Sequence, residues 1–168
     1  MPDMHSAPAS MLPWPVDQQK IKQQVIENFN QLVEYSKNTR ESSAKEKDVA
    51  GLSVTISEAM AKLSLTDLQE IEQQVKSQNG ASSTSPVMKA FYDLVSMAGS
   101  NPAVKLIIER TKSHEMGEVS WEWSWILSQT IRSVRTPTEE LLKELVQLLK
   151  HNSVEESRMW RASIALTL

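Results

Sequence analysis

An all-α fold of stacked helices is what this 168-residue chain predicts, and three observations carry the expectation. Three helix-start signals, Ser85-Pro86, Asn101-Pro102 and Thr136-Pro137, punctuate apolar-periodic segments. A proline at the first helical position loses no hydrogen bond, and a Ser, Thr or Asn before it caps the amides that remain. Gly80 and Gly99 stand where such helices would stop, because a glycine takes the left-handed conformation of a C-cap without strain. Composition agrees: only four glycines, two Phe and two Tyr, in a chain 40% apolar and 23% charged, suit helices better than a sheet protein.

The elements follow in order. Residues 1–15 hold four prolines and little periodicity, and read as a disordered leader. Residues 16–50 read as a first helix and a polar linker. Asp17 is a candidate N-cap, and Ile21, Val25, Ile26, Phe29, Leu32 and Val33 recur at helical spacing over about five turns. The stretch 37–48, apolar only at Ala44, reads as a solvated connection or the polar end of a frayed helix. From 51 to 168 the chain reads as one helical-repeat segment. Leu52, Ile56, Ala59, Met60 and Leu63 mark a short helix. Ser64 and Asp67 form a capping box for the next, with Leu65, Leu68, Ile71 and Val75 on its face and Asn79-Gly80 at its end.

Pro86 opens a helix with Val87, Phe91, Leu94, Val95 and Ala98 on one side. Asn101 is expected to cap its successor, with Val104, Ile107, Ile108 and Thr111 inward. Thr136-Pro137-Thr138-Glu139 reads as a capping box with Thr136 as the cap, ahead of Leu141, Leu142, Leu145, Leu148 and Leu149. Ser153 and Glu156 repeat the box before Trp160, Ile164 and Leu166, and a last apolar run without a C-cap suggests truncation.

Val119, Trp121, Trp123 and Trp125 alternate with polar residues as a strand would. A helix is nonetheless expected here, because no other segment offers a partner strand for the backbone groups. In that helix Trp121 and Trp125 share one face, and Trp123 and Leu127 the opposite one.

The block from Pro86 to Glu109, PVMKAFYDLVSMAGSNPAVKLIIE, followed after a helix by Arg135-Thr136-Pro137-Thr138 and a leucine-rich helix, resembles the α-helical domain of the large lipid transfer proteins. That family comprises vitellogenins, apolipophorins, apolipoprotein B and the microsomal triglyceride transfer protein. The turn Gly99-Ser100-Asn101-Pro102-Ala103 and the segment Leu63–Leu68 belong to the same likeness, which covers about residues 55–168. It implies a horseshoe of antiparallel helix pairs, a curved two-layer superhelix that wraps β-sheets enclosing lipid. It further implies a piece of a larger lipid-carrying protein, with lipid and the β-sheet domains of a parent chain as partners and an extracellular location. Trp121, Trp123, Trp125 and Leu127 are the candidate lipid- or partner-facing residues, with Trp123 and Leu127, or else Trp121 and Trp125, expected to point toward the sheets.

Other chemistry finds no foothold. A net charge of −3 with scattered Lys and Arg argues against nucleic acid, and no segment approaches the ~18–20 apolar residues of a membrane span. Residues 1–16 lack the charged start and unbroken apolar run of a secretory signal. With no cysteine and with His5, His114 and His151 far apart, no metal site is expected, and no cofactor motif occurs among the four glycines. Glu139, Glu140 and Glu144 read as helix-dipole stabilisers rather than an acid–base pair, so no enzyme is expected. The alternative to lipid transport is a free-standing helical-repeat module that grips a protein partner.

Overall fold

The computed structural model describes residues 17–38, 43–80, 82, 85–112 and 121–150, with the side chains at 43–47, 121–124 and 149–150 excepted. Seven helices make up the described residues: α1 Gln18–Lys37, α2 Ser43–Met60, α3 Leu65–Asn79, α4 Pro86–Ala98, α5 Asn101–Lys112, α6 Trp121–Ser133 and α7 Glu139–Lys150. The expected leader, the apolar run around Trp160 and all three histidines lie outside them.

Most boundaries follow from the capping chemistry of the sequence. Asp17 accepts a bond from the Lys20 amide and opens α1. Ser64 and Asp67 bond reciprocally as the capping box of α3, which Gly80 closes at φ 55°. Ser85 accepts from the Met88 amide and Pro86 takes the first helical position of α4, closed by Gly99 at φ 67°. Residues 121–133 are helical, as expected from the want of a partner strand.

Three boundaries differ from expectation. α2 begins at Ser43, so the polar stretch 43–48 is its first turns; Ala, Lys and Glu form a helix readily without an apolar face. The cap of α5 is Ser100 rather than Asn101: its hydroxyl accepts from the Ala103 amide at 3.3 Å and its carbonyl from Val104 at 3.1 Å. α7 starts two residues later than Thr136 predicts. Thr138 is the cap, its hydroxyl accepting from the Leu141 amide at 3.2 Å and its carbonyl from Leu142 at 3.0 Å.

Asn101 explains both shifts at once. Its side chain donates to the Thr136 carbonyl at 3.0 Å and accepts from the Thr138 amide at 2.8 Å, so the amide group clasps the approach to α7 instead of its own helix. With those backbone groups held by another element, residues 136–138 remain outside the helix.

The helices sort into two layers. α1, α3, α5 and α7 neighbour one another in one layer, and α2, α4 and α6 in the other, with α1 packed on α2, α3 and α5 on α4, and α5 on α6. Helices of a layer run parallel. Lys22 pairs with Glu70 and Asn30 with Gln78, so moving eight residues along α1 moves eight along α3. Asn101 meets Thr136 and Thr138, and one turn later Lys105 meets Glu140 at 2.9 Å, which sets α5 and α7 in the same sense. The C-terminal ends of α4 and α6 likewise meet at Gly99 and Ser133. Successive helices therefore reverse direction between layers, which is the architecture of stacked antiparallel helix pairs.

Phe29 from one layer and Phe91 and Tyr92 from the other fill the space between them, with edge-on ring contacts at 5.9 and 5.5 Å. All three are fully buried.

Candidate partner-facing surface

Because each helix in a two-layer stack buries one side on its own layer and another on the opposing layer, only the outward side of each layer can meet a partner. The two outward sides of this protein differ in chemistry. Among the described residues, the large apolar side chains left exposed are Val54 on α2, Met97 on α4 and Trp125 on α6, one for each helix of the even-numbered layer. Their exposures, 48%, 53% and 50%, are those of side chains standing out from the helix rather than lining a gap.

The odd-numbered layer turns polar groups outward. A groove of about 520 Å³ between α1 and α3 is lined by amides and charges, among them Gln19, Gln23, Asn30, Gln74 and Gln78. Lys22 spans its floor, pairing with Glu70 and, at 3.3 Å, with Asp67. Such a surface is satisfied by water and gains little from apolar contact.

Within α6 the periodicity divides the candidate residues. Leu127 is fully buried, with Ile126, Ile131 and Val134 beside it in the core against α4 and α5. Trp125 lies half exposed on the other side. Of the two faces open to the sequence, the one through Trp125 is therefore outward and the one through Leu127 is a core face. The side chains of Trp121 and Trp123 lie outside the described residues. Val54 and Met97 were not singled out by sequence reasoning. Each is an apolar residue off the core-facing stripe of its helix, where Ile56 and Met60, or Phe91 and Val95, point inward. An apolar residue out of phase with its own stripe was the available signal.

A buried ionic cluster joins α3 and α5 of the odd-numbered layer to α4 of the other. Glu72 on α3 has no exposed surface and accepts two bonds from the Arg110 guanidinium on α5, at 2.7 and 2.6 Å. Tyr92 on α4 donates its hydroxyl to the same carboxylate, and Lys76 stands 3.5 Å away. Burial alone would raise the carboxyl pKa, but the bonds from Arg110 and Tyr92 outweigh it and hold Glu72 below the usual carboxylate range. Glu72 in turn pushes the Arg110 pKa up. One carboxylate thus ties three helices and both layers together. Its partners are all satisfied by protein groups, which is the chemistry of a structural rivet rather than of a reactive centre.

Glu139, Glu140 and Glu144 are likewise placed as helix stabilisers. Glu139 pairs with Lys143 at 2.7 Å within α7, and Glu140 and Glu144 reach Lys105 of α5 at 2.9 and 3.8 Å. No group of three or more metal-ligating side chains occurs among the described residues, and no described helix is long and apolar enough to cross a membrane.

A family model, the Vitellogenin TPR domain, matches residues 19–168. No curated protein and no solved structure matches the chain.

Proposed function

This chain belongs to the vitellogenin TPR domain family of the large lipid transfer proteins, and on that premise we propose that it is a non-enzymatic helical wall supporting a lipid-binding cavity. The supporting observation is the asymmetry of the two layers. All three exposed large apolar side chains among the described residues, Val54, Met97 and Trp125, stand on the even-numbered layer, while the groove between α1 and α3 is polar. The even-numbered layer is the side turned toward the β-sheets of a parent lipid carrier, and the odd-numbered layer the side turned toward water. Contact there is apolar and broad, gaining roughly 25 cal/mol per Å² removed from water, and needs no convergent polar groups. The wall's part is mechanical, as a stiff stack that keeps the sheets around the lipid. The extracellular location implied by the resemblance belongs to the same proposal, and the family's yolk precursors, circulating carriers and intracellular transfer proteins are all compatible with such a wall.

The test is to recover the native protein from tissue and body fluid with an antibody to residues 86–150 and to extract it with organic solvent without detergent. A species far larger than 18.9 kDa in the fluid, carrying phospholipid or diacylglycerol, supports the reading. A lipid-free cytosolic band near that mass, with a saturable protein partner, refutes it in favour of a free-standing interaction module.

A further inference from the structure

Polar side chains stand every four residues along both walls of the groove between α1 and α3: Gln19, Gln23 and Glu27 on α1, and Glu70, Gln74 and Gln78 on α3. Between the walls, the partly buried Ile26 and the buried Ile71 form a narrow apolar base. Two cross-links tie the walls together, Lys22 to Glu70 and, further along, Asn30 to Gln78 at 3.3 Å. The step from Lys22 to Asn30 spans about 12 Å, the length of three to four residues of extended chain.

Spacing and bonding chemistry both suit an extended peptide. Four residues of helix advance about 6 Å, and two residues of strand about 6.6 Å. A strand turns the N–H and C=O of alternate residues to the same side, so each wall offers one polar side chain to every second residue of a peptide lying along the groove. A carboxamide carries both a donor and an acceptor, the match for that N–H and C=O pair. The side-chain amides of Gln19 and Gln74 have no hydrogen-bond partner among the described residues. A peptide side chain turned inward meets Ile26 and Ile71, and its neighbour turns out toward the rim. There Glu27 accepts a bond from the Gln23 amide at 2.9 Å and has no cationic partner among the described residues, whereas Glu70 is paired with Lys22. We propose that this groove binds an extended segment of another protein, its main chain held by Gln23 and Gln74 and a Lys or Arg side chain held by Glu27. The site lies on the odd-numbered layer and does not rest on the lipid-side face.

The test is fluorescence anisotropy of a labelled pentapeptide, Thr-Val-Lys-Val-Thr capped at both ends, titrated with the full chain. Saturable binding is expected, weakened about tenfold by Gln23→Ala with Gln74→Ala and about fivefold by Glu27→Gln. On the wild-type chain, a peptide N-methylated at both valines should bind about tenfold more weakly, and one with Glu in place of Lys at least about fivefold more weakly. Gln23, Glu27 and Gln74 are all exposed, so the variants should unfold in urea as the wild type does; where one does not, the two altered peptides give the answer on the wild-type chain. No saturable binding with the chain at about 1 mM overturns the proposal, as does equal affinity for the N-methylated peptide. Binding that responds to the charge changes alone, and not to methylation or to the paired Gln→Ala change, is unspecific attraction of a cation and also overturns it. A wild-type dimer that Glu27→Gln turns into a monomer, with no binding of the peptide, assigns the groove to a second copy and refutes the proposal.

Discussion

Replacing Arg110 by Met tests the ionic rivet most directly. The change removes two bonds of 2.6 and 2.7 Å and leaves the Glu72 carboxylate, with no exposed surface, to Tyr92 and to Lys76 at 3.5 Å. Breaking one side of a buried ion pair costs about 3–5 kcal/mol, because the remaining charge stays desolvated. Arg110 keeps 17% exposure, so water reaches the vacated space, and about 3 kcal/mol is expected. The double change Glu72→Met with Arg110→Met removes both charges together and takes one acceptor from the buried Tyr92 hydroxyl, so it should be more stable than Arg110→Met and lie within about 2 kcal/mol of wild type. Urea unfolding followed by circular dichroism measures both, with unchanged slopes showing that the same surface unfolds.

Acid provides a second readout of the same pair. Glu72 is held below its unfolded pKa, so the stability it contributes is complete above the usual carboxylate range and is lost as pH falls through its folded value. The wild-type advantage over Arg110→Met should therefore shrink in acid. A loss under about 1 kcal/mol for Arg110→Met at pH 7, or a double variant no more stable than the single, would show that the cluster does not bind the layers as argued.

The three described glycines make a graded series. A Cβ at Gly99 would meet the Ser133 carbonyl oxygen at 2.8 Å in a residue already at φ +67°, so Gly99→Ala should cost more than about 2 kcal/mol. Gly80 has a similar φ of +55° but open space, and its Ala variant should lose only about 1 kcal/mol, while Gly51→Ala within α2 should gain about 0.5–1 kcal/mol; thermal unfolding ranks all three. Asn101→Ala removes both bonds that clasp residues 136–138 without touching the cap of α5, so about 1–2 kcal/mol should be lost, with faster amide exchange confined to the start of α7. Trp125→Gln should cost no more than about 1–2 kcal/mol, since half of the side chain is already exposed, yet weaken adsorption to a phosphatidylcholine–triglyceride emulsion; unchanged adsorption would count against the even-numbered layer as the lipid-side face.

The helices were legible in the sequence because the forces that start and stop them are local. A serine hydroxyl meets an amide three residues on, and a glycine accepts a positive φ, so Ser64, Ser85, Gly80 and Gly99 act within one turn of chain. The inward sides of α1, α3, α4 and α5 were legible for a similar reason, since apolar spacing at 3.6 residues reports which side is dry.

What lay out of reach depends on groups brought together from distant parts of the chain. Thr136 and Thr138 are equally good caps, and Asn101, thirty-five residues from Thr136, decides between them. Trp125 and Leu127 are both apolar, and only the packing of α6 on α4 and α5 makes one outward and the other core. Glu72 is one acid among many along the helices until Arg110 and Tyr92 converge on it. Local chemistry thus settles most helix ends and the side on which each helix hides its apolar stripe. Which side of the finished stack is apolar, and what locks its layers, arises from long-range packing, where free energies of a few kcal/mol come from contacts that no short window of sequence contains.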